Sequence, residues 1–259
     1  MNAQPPAASD GARARIGCAG WALRPEHAGH FPAAGTHLQR YATIFNAVEI
    51  NSSFHRTHRR ATYEKWASSV PDDFRFAVKL PKEITHVSRL VDAGDLLERF
   101  ADEISGLGKK LGPILVQLPP KFEYNAGLSR DFIAGFRERF SGDIVWEPRH
   151  ATWFTRGVET LFSEHRIARV AADPARVPEA AVPAGSAATV YYRLHGSPRI
   201  YYSKYTSEFV GGLAERIRAA TETGSEAWCI FDNSALGAAT EDALALNLLL
   251  QQPGREHVR

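Results

Sequence analysis

The chain has 259 residues, 44% hydrophobic and 23% charged, with a formal net charge of +2, so it can bury a large core and carries no global field to hold nucleic acid or an anionic membrane. No run of about 18 apolar residues is present, which argues against a spanning helix and a membrane partner. Cys18 and Cys229 are too few for a disulfide framework or a cysteine-rich zinc site; they suit a reducing cytoplasm and read as buried structural thiols.

Met1 to Arg15, rich in Ala and Pro, reads as a mobile tail, and residues 253–259 as a short C-terminal one, leaving 16–252 as one domain. Ile16 to Trp21 forms a first strand whose glycines permit close approach, with Trp21 and His27 on the loop after it. Thr36 caps a helix from His37 to Phe45. A strand within Asn46 to Phe54 then ends in polar residues, and a helix from Ala61 to Ser69 stops at Pro71. Phe74 to Leu80 is the third strand, followed by a segment carrying Lys82, Thr85, His86 and Arg89, and a helix is expected from Asp95 to Leu111. Ile114 to Leu118 has the continuous apolar character of a strand buried on both faces of a parallel sheet.

Ser129 is the expected cap of a helix through Phe140, Asp143 to Glu147 is strand five, and a helix near Gly157 to His165 follows. Strand six runs from Ala168 to Ala172, and the Ala, Pro and Gly of Ala175 to Ala188 predict an irregular connection. Thr189 to His195 is strand seven, with a tyrosine-rich loop after it; Ser207 to Thr221 is helical, and Ala227 to Asn233 is strand eight. Thr240 is expected to cap a last helix, Ala243 to Gln251.

Eight strands alternating with helices predict an α/β fold, a TIM-like (β/α)8 barrel with long strand-to-helix loops, with an open doubly wound sheet as the alternative. No GxGxxG or GxxxxGK[ST] loop follows any strand, which argues against dinucleotide or P-loop binding, and no cofactor is specified. In such a barrel the carboxyl ends of the strands share one mouth, which gathers Glu49, Asn51, Lys79, His86, Gln117, Glu147, Arg149, His150, Asp173, Arg193, His195 and Asn233. Alternation puts Glu49 with Asn51, Glu147 with Arg149, and Arg193 with His195 on common faces. Any one of these charges is as readily explained by a structural ion pair; so many together would leave buried charges costing several kcal/mol each, which favours a site. If Asn233 points inward, so does Cys229, its neighbour across the first strand being near Cys18.

The pieces Ile16-Gly17-Cys18-Ala19-Gly20-Trp21, Val48-Glu49-Ile50-Asn51-Ser52-Ser53-Phe54, Phe74 to Lys79, Thr85-His86, Leu115-Val116-Gln117-Leu118-Pro119-Pro120, Glu147 with Arg149-His150 and Trp153, Tyr192-Arg193-Leu194-His195-Gly196 and Asp232-Asn233 run in order over nearly the whole chain. In that combination the sequence resembles the YecE-like family, domain of unknown function seventy-two. The resemblance implies a TIM-barrel-like fold and no particular activity. His55 stands where the family pattern has an aromatic, Asp242 where it has asparagine, and Pro148 is also unusual.

Three functions compete. In the first, an enzyme acts on a small polar or anionic substrate, such as a phosphorylated or carboxylated sugar-like molecule: Lys79, Arg149 and Arg193 hold the anion, Glu49 and Glu147 serve as acid and base, and His86 or His195 shares the proton work. Asn51, Gln117, Asp173, Asn233, Tyr201 and Tyr205 complete the substrate contacts. Carboxylates facing each other at roughly 5 to 10 Å would make glycoside hydrolysis a specific version. In the second, Glu49, Glu147, Asp173, His86 and His195 ligate a metal in a hydrolase or isomerase, against which the nearby cations argue. In the third, Trp21, Trp153, Tyr201, Tyr202 and Tyr205 with Arg149, Arg199 and Lys204 form a non-catalytic single-strand binding surface; aromatic filling and a tyrosine lid are the plainer reading. Substrate and oligomeric state stay open.

Overall fold

The computed structural model describes residues 13–252. The tails expected at the two ends fall largely on residues 1–12 and 253–259, outside that range, but Ala14 and Arg15 belong to the first strand rather than to a tail. In chain order the elements are β1 Ala14–Cys18, α1 His37–Tyr41, β2 Ala47–Ile50, α2 Arg60–Ser68, β3 Arg75–Lys79, α3 Gly94–Ile104, β4 Leu111–Gln117, α4 Ala126–Arg139, β5 Ile144–Glu147 and α5 Arg156–Glu164. Then follow β6 Ile167–Arg169, β7 Ala171–Asp173, β8 Ala184–Gly185, β9 Thr189–Leu194, α6 Ser207–Glu222, β10 Glu226–Phe231 and α7 Ala238–Gln251. The architecture is α/β, with parallel strands and helices packed on their outer faces; β8, antiparallel to β6, is the exception to the parallel pairing.

The strands form two sheets, ordered β1-β10-β9-β7 and β2-β3-β4-β5-β6-β8. The expected sixth strand is divided at Val170, because its first half pairs with β5 and its second with β9. Val170 itself still donates to the Trp146 carbonyl at 2.9 Å, so one short run of chain belongs to both sheets. Where β1 meets β2 the ladder is reduced to a bridge between Ala19 and Glu49, and side chains do the rest. The Asn46 amide accepts from the Ile16 N–H at 2.9 Å and donates to the Ala14 carbonyl at 2.8 Å. The Tyr41 hydroxyl accepts from the Cys18 N–H at 2.8 Å and donates to the Ala47 carbonyl at 3.0 Å, satisfying backbone groups that a regular ladder would have paired.

Two apolar clusters follow from strand alternation. The outer one packs strand side chains such as Ile16, Val48, Phe76 and Phe231 against the helices; the inner one joins Ala47, Ala77, Leu115 and Val145 from one sheet to Tyr191, Trp228 and Ile230 from the other. Cys18 and Cys229 both lie in the outer cluster and are unbridged, and burial pushes the Cys18 thiol up to about 12, so it is an inert core thiol.

Several helix boundaries differ from expectation for local reasons. Thr36 does cap α1, in a reciprocal capping box with Gln39, but the regular helix ends at Tyr41 and continues to Phe45 in tighter turns. The helix expected to reach Leu111 stops at Ile104 and gives way to a 3-10 segment in which Gly108 adopts a positive φ. Ser129 is buried inside α4, whose cap is Asn125, accepting from Leu128 N–H at 3.0 Å. Thr240 likewise lies inside α7, which starts after Gly237.

At the β1–β2 junction a Cβ on Gly17 would come within 2.0 Å of the Ala47 carbonyl oxygen. Gly17→Ala is therefore expected to lower stability by about 1–3 kcal/mol or more, and Tyr41→Phe by roughly 1–3 kcal/mol through unpaired buried backbone groups, both read as a fall in the urea midpoint.

Candidate functional site

The inner apolar cluster is the floor of the site. Two positions further along the strands, alternation returns the chain to the same face with polar residues in place of apolar ones: Ala47 leads to Glu49, Ala77 to Lys79, Leu115 to Gln117, Val145 to Glu147, Tyr191 to Arg193 and Ile230 to Asp232. A polar layer drawn from both sheets thus stands directly on the apolar one.

At its centre lies Arg193, 1% exposed. Its Nε and Nη2 meet Glu49 side-on, at 3.0 and 2.8 Å, Nη2 also reaches Asp232 Oδ2 at 2.9 Å, and Nη1 donates to Glu147 Oε2 at 3.2 Å. Three carboxylates from different strands converge on one planar donor fork. Glu49 also accepts from the Tyr191 hydroxyl at 3.0 Å, and Glu147 from Gln117 Nε2 at 2.8 Å and Arg149 Nε at 3.2 Å. Burial alone would raise the Glu147 and Asp232 carboxyls; Arg193 and His195 outweigh it and hold Glu147 well below its ordinary range and Asp232 below its own.

His195 stands between two of these carboxylates, with Nδ1 3.1 Å from Asp232 Oδ2 and Nε2 3.2 Å from Glu147 Oε1. Burial and Arg193 push its pKa down, but Glu147 and Asp232 prevail and raise it. As an imidazolium it donates to both; as a neutral ring it keeps the Nδ1–H bond to Asp232, and Nε2 faces Arg193 Nη1 at 3.4 Å. Its ring is partly covered by Tyr201, edge-on at 5.9 Å, a residue at positive φ that is itself 43% exposed.

The upper part of the layer is less saturated. Lys79 is 6% exposed, its ammonium lies 4.0 Å from the centre of the Phe54 ring, and it forms no hydrogen bond or ion pair among the described residues. Burial and Arg193 lower its pKa to about 8 against the pull of Glu49, Glu147 and Asp232. The Nη groups of Arg149 find no acceptor among the described residues, its Nε bond to Glu147 being its one polar contact. His86 sits on a π-helical turn, Glu83–Val87, with its Nδ1 2.8 Å from the Thr85 hydroxyl and its ring edge-on to Phe54 at 4.9 Å. Burial first, then Lys79, Arg149 and Arg89, lower its pKa. The Asn51 Oδ1 is buried with no hydrogen-bond partner among the described residues.

Other expected residues stand apart. Asn233 points away from the layer, toward α7, where its Nδ2 donates to Asp242 at 2.7 Å and to the Ser203 carbonyl at 2.8 Å; the inward residue is Asp232. Cys229 shares Asn233's outward face, so the parity inferred for the pair holds and its direction is reversed. Tyr205 is buried, donating to Asp173 Oδ1 and accepting from Gly196 N–H, both at 2.9 Å; together they fix the loop after β9 instead of facing a substrate. Gly196 there has φ of 91°, and a Cβ would meet the Ser203 carbonyl at 2.8 Å. His150 caps the short turn Ala151–Trp153. Trp153 is fully buried and donates to the Phe122 carbonyl at 2.8 Å, and Trp21 packs edge-on against Trp66 at 5.0 Å, so the aromatics expected to stack bases form no continuous track.

Among the described residues no group of three or more His, Cys, Asp or Glu side chains is set to hold a metal ion. The carboxylates and His195 that could ligate one already converge on the Arg193 guanidinium, which occupies the central cationic position. A cavity of about 350 Å3 opens at the opposite, amino ends of the strands, among Arg75, Gly112, Asp143, Glu226 and Trp228, and shares no residue with the polar layer.

A model of the family described as "Protein of unknown function DUF72" matches residues 15–258. The chain belongs to that family. It is 31% identical over 128 residues to the UPF0759 protein YecE of Escherichia coli (strain K12), covering 48% of this chain and 45% of that protein. It is 29% identical over 153 residues to YunF of Bacillus subtilis (strain 168), covering 54% of this chain and 52% of that protein, so the matched stretch spans about half the length of these curated relatives. Among solved structures, a DUF72 protein of Enterococcus faecalis superposes with a TM-score of 0.79 at 20% identity, over 93% of this chain and 97% of that one. One from Thermotoga maritima superposes with a TM-score of 0.78 at 22% identity, over 92% and 99%. These likenesses establish the shared DUF72 fold. Of the departures noted from the family pattern, Asp242 is buried and receives Asn233 and the Tyr205 N–H at 3.2 Å, and burial raises its pKa. His55 is exposed and rests edge-on against Phe54.

Sequence reasoning missed Asp232, Tyr191 and Phe54. The first two were available from alternation, since each lies an even number of residues from Ile230 or Arg193; Phe54, in the short turn Ser52–Phe54 after β2, belonged to the run that carries the family resemblance but had no periodicity to aim its ring.

Arg193→Met would leave three carboxylates facing one another and is expected to cost about 3–5 kcal/mol in urea unfolding, with Arg193→Lys retaining part of the stability. The pH dependence has a definite sign. Glu147 and Asp232, depressed in the folded state, contribute stability above their ordinary values of 4.5 and 3.8 and lose it as pH falls through their folded values. His195, raised above 6.5, contributes fully below that value and loses its contribution as pH rises through the folded one. Urea midpoints measured across pH should therefore decline on the acid side, and decline less in Arg193→Met.

Proposed function

We propose that this DUF72 protein is an enzyme acting on a small, anionic, polar substrate, with Arg149 holding the anion, Lys79 facing it, and His86 and His195 moving protons. The observation that carries the reading is the opposite perturbation of the two histidines: His86 is pushed toward the neutral base by burial and the cations Lys79, Arg149 and Arg89, while His195 is held toward the acid by Glu147 and Asp232 against burial. Groups whose environments separate their pKa values are suited to be a base and an acid at one pH.

Glu49 and Glu147, expected from the sequence to be that pair, are better suited to hold charge than to exchange protons, because their oxygens are already taken by Arg193, Tyr191, Gln117, Arg149 and His195. The surplus of donors lies higher, in Lys79 and in the Nη groups of Arg149 that meet no acceptor among the described residues, and Asn51 Oδ1 can accept from a substrate hydroxyl. A TIM-like closure of the two sheets into one barrel supports a shared mouth, and it rests on the run 167–173 common to both sheets, the Ala19–Glu49 bridge and the inner cluster contributed by both. Unbridged, buried cysteines favour the cytoplasm, and no helix among the described residues is long and apolar enough to cross a membrane.

Thermal-shift titration with inorganic phosphate and glycerol 3-phosphate tests the reading. Either anion at 100 times its Kd should stabilise the protein by about 2.7 kcal/mol, and Arg149→Ala should weaken binding at least tenfold, with affinity declining as salt rises. Equal shifts in Arg149→Ala and the parent, or none with either anion, would overturn it.

A further inference from the structure

We propose that Lys79 is a covalent nucleophile, and that the substrate bears an aldehyde or ketone which Lys79 captures as an imine while Arg149 holds the anionic end. This deepens the reading above and rests on it for the anion site and the two histidines.

The argument begins with what Lys79 lacks. A lysine this deeply placed ordinarily pairs with a carboxylate, and three stand in the same layer. Yet Glu49, Glu147 and Asp232 are gathered by Arg193 and His195, leaving the ammonium without an ion pair or hydrogen bond among the described residues. A permanently charged structural lysine keeps only the Phe54 ring face and the indirect pull of those carboxylates, whereas an amine that must lose its proton is served by the lack of a direct partner.

Its surroundings are also held in place. The Ser53 hydroxyl lies 2.6 Å from the Lys79 carbonyl and 2.8 Å from that of Ile50, fixing the turn Ser52–Phe54 to the end of β3. That turn sets the Phe54 ring 4.0 Å from Nζ and presents at its start the Asn51 Oδ1, which has no hydrogen-bond partner among the described residues. Burial and the neighbouring Arg193 disfavour the charged amine, against the attraction of the Phe54 ring face and the more distant carboxylates. With its pKa lowered to about 8, roughly a tenth of Lys79 is unprotonated at pH 7.

The step balances with the groups present. The neutral Nζ lone pair attacks the carbonyl carbon, the π electrons pass to oxygen, and neutral His86 takes the proton that nitrogen gives up and delivers it to that oxygen, giving a carbinolamine with His86 neutral again. Protonation of its hydroxyl by the His195 imidazolium releases water, and the nitrogen lone pair forms the C=N bond of the iminium. No oxidant or reductant takes part.

The test exposes the full chain to dihydroxyacetone phosphate or glyoxylate with sodium cyanoborohydride, followed by intact mass and peptide mapping, with glycerol 3-phosphate as the carbonyl-free control. One adduct per chain is expected, on Lys79, half-maximal near pH 8 and absent with glycerol 3-phosphate, which should instead suppress it by competition. Lys79→Arg should remove that adduct, and mapping of the parent protein gives the same answer if the variant does not fold. Adducts spread over surface lysines, or thermal shifts with glycerol 3-phosphate but no adduct at Lys79, would overturn the imine and leave the anion site standing. No shift and no adduct with any of the three compounds would sink both readings.

Discussion

The Arg193 guanidinium turns three carboxylates that would repel one another into a single compact unit, and the rest of the polar layer is set by how it does so. A lysine could approach one carboxylate closely, but the planar fork reaches Glu49 side-on while its other edges meet Asp232 and Glu147. Each partner carries a second tie, Glu49 to Tyr191, Glu147 to Gln117 and Arg149, Asp232 to His195. Removing these charges from water is costly, and the cost is recovered only because the lone pairs are so fully used.

This division of labour separates the charges that hold the site from those free to act. The lower members are sealed and satisfied. Lys79, Arg149 and His86 sit at the edge of that network, where their chemistry is modulated by it without being consumed. The lysine and the nearby histidine are both depressed by burial and by cationic neighbours, and His195 is raised because it lies on the carboxylate side of the same arginine.

Much of this was legible in the chain. Short apolar runs ending in charged residues located the strands, and reading the strand ends as one mouth gathered Glu49, Lys79, Gln117, Glu147 and Arg193. Alternation failed where its phase was taken from the wrong residue: at the end of β10, Asn233 was read as inward, although the parallel register of Ile230 with Arg193 puts Asp232 there. The division of the sixth strand at Val170 was not legible, because pairing partners belong to tertiary structure and the local sequence Ala-Arg-Val-Ala-Ala reads as one strand. Ser129 and Thr240 are good capping residues that lie inside helices, where Asn125 and Gly237 come earlier in the chain and start the helix first. Beyond Arg149, two residues from Glu147 on the same face, what the carboxylates pair with could not be read, since Arg193 lies more than 140 positions from Glu49.

Arg193 and Asp232 come from one sheet, Glu49 and Glu147 from the other, and the Asn46 and Tyr41 contacts join the same two sheets at the opposite end of β1 and β2. The chain is thereby clasped at both ends of its strands. A state in which one sheet had formed without the other would strand Glu49 and Glu147 unpaired on one and leave Arg193 with Asp232 alone on the other, so partial structures are penalised electrostatically as well as by exposed apolar surface. Assembly of the polar layer is for that reason coupled to the docking of the two sheets, and a chain opened by halves would lose the layer along with the apolar core beneath it.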